Sequence, residues 1–417
     1  MSRFVLALLL SIGMVAAACA DVLELLKQGL AARYRGDDDA AIYYLGEAIA
    51  AGGLTPQIRA AALASRGVAY ENKGEIDRAV ADFDAALDLS PGSGSVHIYR
   101  GLAWVKKRDL DRAIADFTAA ARDAEHGYLA LMNRANVYQI KGDNVQAIED
   151  YTRAIRLMPG DAHSYYGRGN SYLALDETDK AITSFGAAIR LQPNFIPAYV
   201  NRGAAYLGKG EIDTAITDFN AAIQLDASDA TLFTNRGIAY ITIGAYGPAI
   251  TDFDNAIRLN PNNAFGFANR GIARFYFSQT DAAIEDLMTA VRLRPSDANL
   301  IIWLHLLRAR AGQNDLPDLS SRVVNVDRIK WPSPVINLHL GVVGTDIVRD
   351  AAPLGTTEMA QRRRNCEINF HLGMFHLEQS VPNEARGNLQ SAMTLCLPGA
   401  IEFAAAKAEL ARIEQMR

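Results

Sequence analysis

The chain repeats itself every 34 residues, and no other feature limits its fold as strongly. "NRGAAYLGKGEIDTAITDFNAAIQLD" begins at Asn201, "NRGIAYITIGAYGPAITDFDNAIRLN" at Asn235 and "NRGIARFYFSQTDAAIEDLMTAVRLR" at Asn269. With the residue after each arginine as anchor, the register runs through Gly67, Gly101, Ala135, Gly169, Gly203, Gly237 and Gly271. Three places on stands an aromatic (Tyr70, Trp104, Tyr138, Tyr172, Tyr206, Tyr240), and the series breaks at Arg274. Twelve places on stands alanine, from Ala79 to Ala283; sixteen on stand Phe83, Phe117, Tyr151, Phe185, Phe219, Phe253 and Leu287. Proline follows at Pro91, Pro159, Pro193, Pro261 and Pro295, where it ends a helix because it cannot continue one. An irregular copy precedes these, with Gly29, Gly36, Ala41, Leu45 and Ala48, before the longer loop "AGGLTP".

Each copy reads as two short amphipathic helices joined by a turn such as "KGE" or "KGD". Ordering 34 residues costs about 50 kcal/mol at about 1.5 per residue, more than two such helices can offset alone. Stacking of neighbours supplies the missing burial, so the period demands a solenoid. The glycine–aromatic–alanine–aromatic–proline frame resembles the tetratricopeptide repeat over about residues 22–295. That resemblance implies an all-α, right-handed superhelical solenoid of antiparallel helix pairs, with the first helix of each pair lining a concave groove. The expected organisation is a targeting segment over 1–20, a solenoid of about eight helix pairs over 21–295, and an irregular helical region over 296–417.

The groove position implied by the family lies two places before the anchor. It holds Ser65, Tyr99, Asn133, Gly167, Asn201, Asn235 and Asn269. A carboxamide offers two donors and an acceptor, so Asn133, Asn201, Asn235 and Asn269 are expected to clamp a peptide backbone. Asparagine rows of this kind occur in some peptide-binding members of the family; the alternative is a solvated helix face. One turn on, Ile238, Ile241, Ile272, Phe275 and the adjoining Tyr276 read either as an apolar seat for a partner's anchors or as packing between repeats. Arginine precedes every anchor from Arg66 to Arg270. Aspartate recurs sixteen places beyond it, at Asp82, Asp116, Asp150, Asp218, Asp252 and Asp286, with Ser184 the exception. The matched period predicts structural ion pairs, the alternative being an arginine row for an acidic ligand.

Half of the residues are apolar, 21% are charged and the net charge is −5. No basic stripe points to nucleic acid. Arg3, the apolar run Phe4–Val15 and the small residues Ala18, Cys19 and Ala20 form an export signal, too short to span a bilayer. Cleavage before Asp21 would release a periplasmic protein; lipid attachment at Cys19 is the alternative. "GAAYLGKG" at Gly203 approaches a phosphate-loop spelling, but no strand precedes it and Gly210 stands where Ser or Thr is required. His371 and His376, five apart, fall on different helix faces. No cofactor, metal ligand set or catalytic residue is expected.

Beyond Pro295, "ANLIIWLHLLRARAG" reads as a last first helix, and the frame resumes at Gly373, Ala385 and Leu389, giving a repeat-like pair over 366–396. Cys366 begins that pair and Cys396 ends it, so antiparallel packing predicts a disulfide; two buried thiols are the alternative. Phe403, Ala406, Leu410 and Ile413 mark a closing helix, with Lys407, Glu409, Arg412 and Glu414 expected outside. The "WPSPVINLHLG" corner, "CEINFHLGMFHL" and "IEFAAAKAELARI" resemble NlpI-like lipoproteins of the bacterial envelope. That resemblance implies an adaptor for peptidoglycan hydrolases or a periplasmic protease. The expected function is a non-enzymatic scaffold that binds protein or peptide segments in its groove. The alternatives are a structural spacer, or an enzyme with a site hidden in 313–365.

Overall fold

In a computed structural model, the described residues are 21–327, 330–351 and 357–415. Residues 1–20, on which the expected export signal and lipid attachment at Cys19 fall, lie outside them. The chain divides between Leu191 and Gln192 into two compact units. The first holds α1 (21–34), α2 (Asp38–Ala51), α3 (Pro56–Asn72), α4 (Ile76–Leu89), α5 (Gly94–Lys106), α6 (Leu110–Ala120), α7 (Gly127–Lys141), α8 (Asn144–Leu157), α9 (Ala162–Ala174) and α10 (Thr178–Leu191). The second opens with three more pairs: α11 (Ile196–Lys209) with α12 (Ile212–Leu225), α13 (Ala230–Thr242) with α14 (Tyr246–Leu259), and α15 (Ala264–Tyr276) with α16 (Thr280–Leu293). The irregular region continues with α17 (Ala298–Arg310), α18 (Leu316–Arg322), α19 (Ser333–His339) and α20 (Thr345–Asp350). It ends with α21 (Glu358–Glu378), α22 (Pro382–Leu395) and α23 (Ile401–Gln415). No strand occurs among the described residues.

The repeat frame explains the packing within each pair. A Cβ added to Gly67, Gly101, Gly169 or Gly237 would stand 2.5–2.7 Å from the ring sixteen residues on, inside van der Waals contact. Phe83, Phe117, Phe185 and Phe253 are each fully buried against that glycine. Ala135 is the exception, and its neighbours compensate. The Tyr151 ring lies instead against Gly167, where an added Cβ would meet it at 2.4 Å. The Tyr151 hydroxyl reaches the Asn136 side-chain oxygen at 2.5 Å and that of Gln139 at 2.8 Å. The gap in the asparagine row at Gly167 is therefore the space that a displaced tyrosine needs.

The turn seven places past the anchor is left-handed in every repeat: Gly74, Gly142, Gly210 and Gly244 have φ of 78–85°. Arg108, Asp176 and Ser278 hold the same slot with φ of 58–66°, a conformation that L-residues adopt at a cost. Asp161, Asp229, Asn263 and Asp297 cap α9, α13, α15 and α17 through side-chain oxygens that accept from first-turn amides.

The expected ion pairs form. Arg66, Arg100, Arg134, Arg202, Arg236 and Arg270 each donate through Nε and Nη2 to the buried aspartate of the same repeat, at 2.6–2.9 Å. In several repeats Nη1 also reaches the second helix of the preceding one: Arg100 to Asp84, Arg134 to Thr118, Arg236 to Asn220 and Arg270 to Asp254. One planar guanidinium thus ties three helices, which a lysine could not do. Arg168, facing Ser184 at 3.3 Å, lacks the carboxylate.

Candidate functional site

The second unit contains the apolar stripe read from the sequence, and the chain itself covers part of it. α23 packs against α13, α21 and α22. Ala404 joins Ile241 and Phe253 in one buried cluster, while Ala405, Ala406 and Ile413 join Ile272 and Phe275 in another. Ile241, Ile272 and Phe275 are 2%, 1% and 4% exposed. The Arg412 guanidinium lies 4.8 Å from the Phe275 ring and 5.0 Å from that of Tyr276. Ile241, Ile272, Phe275 and Tyr276 are thus covered by α23 of the same chain, which corrects the reading of them as an open seat for a partner and leaves the reading as internal packing. The reason is that residues 401–413 present a small, alanine-rich face that fits between the isoleucines. Glu409, expected outside, is fully buried, with Arg310 at 2.9 Å and Arg412 at 3.2 Å.

The loop before α23 also docks inward. Thr242 Oγ1 donates to the Pro398 carbonyl at 3.0 Å, and an added Cβ on Gly399 would meet Leu207 at 2.9 Å. What stays open is a cavity of about 420 Å³ between α11 and α13 on one side and α21, the end of α22 and the 397–402 segment on the other. Ala204, Leu207, Phe219 and Ile238 give it an apolar floor, and Asn235 stands at its edge. The opposite wall carries Arg362, Arg363, Glu367 and Glu402. The Cys366–Cys396 disulfide forms as expected, with Cα atoms 4.8 Å apart, and fastens α21 to the end of α22 at this wall. Arg362 Nε donates to the Leu395 carbonyl at 2.9 Å.

The electrostatics favour binding of polar groups over an apolar base. Burial raises the Glu402 carboxyl to about 7. Burial also raises Glu367, although Trp331 Nε1 donates to it at 2.5 Å. The lining residues include no hydroxyl or imidazole, and their one cysteine is bonded in the disulfide.

The asparagines do not share one fate. Asn133 donates to the Leu129 carbonyl of its own helix at 3.0 Å. Asn201 is engaged within the protein. Asn269 is half-buried on α15. Asn235 faces the cavity. In the first unit the same register, as Ser65 and Tyr99, lines a separate hollow of about 270 Å³, where Arg33 donates to Ser65 at 3.1 Å. The groove position was therefore legible in the sequence. The cavity's other wall was not, because it comes from residues 359–402, more than 120 places away, which no period connects to α13.

Tetratricopeptide-repeat family models match residues 26–94, 128–161, 169–210, 205–244 and 230–263. No curated protein matches the chain. Among solved structures, a tetratricopeptide repeat protein from Parabacteroides merdae is 20% identical, with 60% of this chain and 98% of that one covered at a TM-score of 0.45. The C-terminal part of a TPR repeat-containing protein from Cytophaga hutchinsonii is 19% identical, covering 67% and 99% at 0.45. YrrB, described as a TPR protein with an unusual peptide-binding site, is 24% identical, covering 45% and 96% at 0.40. The chain carries tetratricopeptide repeats, and its all-helical fold is the stack of helix pairs that those repeats build.

Proposed function

We infer that this protein is a protein–protein interaction scaffold whose second unit holds a short partner segment in the cavity beside α13. One observation carries the reading. The Asn235 side chain, with no hydrogen-bond partner among the described residues, stands beside Ile238 over an open apolar floor while the neighbouring stripe is sealed. The exposed Arg362 and Arg363 across the cavity suit a segment that carries a carboxylate next to an apolar anchor. The same proposal places the protein in the bacterial envelope, through its N-terminal apolar run, with peptidoglycan hydrolases or an envelope protease as partners. It rests there on the likeness of residues 300–417 to envelope adaptors.

The test is selection of displayed peptides on the mature chain, followed by affinity measurement on Asn235→Ala and Arg363→Glu. Peptides should enrich, and each variant should bind them at least about tenfold more weakly, about 1.4 kcal/mol, with unchanged far-UV circular dichroism. No enrichment, or binding by both variants as tight as by the parent, overturns the reading. Cell fractionation with intact mass should give a chain that begins at Asp21 or carries lipid at Cys19; an unprocessed cytoplasmic chain would remove the envelope assignment. A second reading, a structural spacer, is favoured by α23, which fills the stripe with the protein's own side chains. It predicts that no peptide is selected.

A further inference from the structure

A separate cluster in the second unit has the composition of a metal centre. His305 on α17, His339 at the end of α19 and Glu378 at the end of α21 converge from three helices, with their ligand-type atoms all within 4.8 Å of one another. His305 Nε2 lies 3.5 Å from Glu378 Oε1, and His339 Nδ1 lies 2.8 Å from Glu378 Oε2. Ligands bonded at 2.0–2.1 Å to a tetrahedral ion stand about 3.4 Å apart, so the three need only small adjustments. His305 and His339 are 4% and 7% exposed. His305 Nε2, His339 Nε2 and Glu378 Oε1 are buried without a hydrogen-bond partner among the described residues. Three such atoms in one place call for an explanation, because buried polar groups are normally satisfied.

The support around the cluster is of the kind metal ligands have. Asp315 Oδ1 sits 2.7 Å from His305 Nδ1, a partner that orients the ring with Nε2 toward Glu378. Arg308 lies 3.9 Å from the other Asp315 oxygen. The His305 and His339 rings meet edge to face with centroids 4.5 Å apart, and Phe375 packs on His339 at 5.6 Å. Both histidines also lie on the repeat register. Counting on from Gly271 in steps of 34 reaches His305, His339 and then Gly373. Two successive anchor positions, elsewhere glycine or alanine, hold imidazoles.

We propose that His305, His339 and Glu378 bind a zinc-class divalent ion, with Asp315 positioning His305. Two imidazoles and one carboxylate suit zinc and disfavour calcium or magnesium, which prefer oxygen donors throughout. The ion would join α17, which packs on the last regular pair through α16, to α19 and α21, and so fasten together the irregular region that bears the cavity wall.

The experiment uses the untagged mature chain, stripped with chelator and titrated with zinc and, separately, cobalt. Zinc should bind at one equivalent and raise the melting temperature, and cobalt should give visible d–d absorption. His339→Gln should weaken zinc binding by at least a hundredfold, and Asp315→Asn, which leaves all three ligands in place, by ten- to a hundredfold. The exposed His163→Gln should change nothing. The proposal is overturned if the parent protein binds no zinc at micromolar concentration, or if His339→Gln and Asp315→Asn, both folded by circular dichroism, bind it as tightly as the parent. Should His339→Gln fail to fold, Asp315→Asn and the cobalt spectrum of the parent decide.

Discussion

Gly237 and Gly387 should respond in opposite ways to the same substitution. Both are helical, and alanine improves helix propensity over glycine by about 0.8–1 kcal/mol. Gly387 is exposed on α22, and an added Cβ there meets nothing within 4 Å. At Gly237 the added Cβ would stand 2.7 Å from Phe253 Cε1, and Phe253 is fully buried, so its ring cannot simply turn away. Overpacking of this kind costs about 1–3 kcal/mol. Gly387→Ala should therefore stabilise the protein by about 0.5–1 kcal/mol, and Gly237→Ala should destabilise it by about 1 kcal/mol. The repeat with Ala135 supplies a rescue. There the ring moves toward the next repeat, into the space left by Gly167. The equivalent position after Phe253 is Asn269, so Asn269→Gly should recover at least about 0.5 kcal/mol of the Gly237→Ala loss in a double-mutant cycle. Urea unfolding followed at 222 nm reads all five proteins: the parent, the three single variants and the double variant. If Gly237→Ala is as stable as Gly387→Ala, the close approach does not govern packing between the paired helices; if the cycle shows no coupling, the account of the Tyr151 displacement falls.

Two further outcomes follow from the cavity wall. Opening the Cys366–Cys396 bond, which closes a loop with a sequence separation of 30, should cost about 3–4 kcal/mol by the chain-entropy relation. Unfolding midpoints that agree within error with and without reductant would refute this. Glu402, raised by burial to about 7 from an ordinary 4.5, binds its proton more tightly folded than unfolded. Its contribution to stability should thus decline as pH rises from about 4.5 to about 7. The Glu402→Gln variant should gain on the parent by about 1–3 kcal/mol across that range, and parallel stability–pH curves would count against the burial.

What the sequence made legible follows from distance along the chain. Helix pairing, the glycine–ring contact and the arginine–aspartate ties join residues within 34 places, so a period displays them directly. The disulfide was also legible, because a hairpin brings its own ends together. The cover that α23 places over Ile241, Ile272 and Phe275 was not. An isoleucine stripe on α13 and α15 looks the same whether a partner or α23 covers it, and periodicity is silent on a contact across more than 100 residues. Glu409 misled for a related reason. Its place in the helical pattern marks a wet face, yet Arg310 from α17 neutralises it in the interior. The histidines left a faint signal, since they stand at anchor positions, but 34 residues separate them and no local ligand spacing joins them.

The helix α23 sets the point in synthesis at which the second unit can close. Residues 401–413 lie more than 120 places after the stripe they cover, so any nascent length that stops short of them leaves Ile241, Ile272 and Phe275 bare. A product cut before residue 401 would expose that stripe permanently and be marked for proteases or chaperones, whereas a chain that includes α23 hides it.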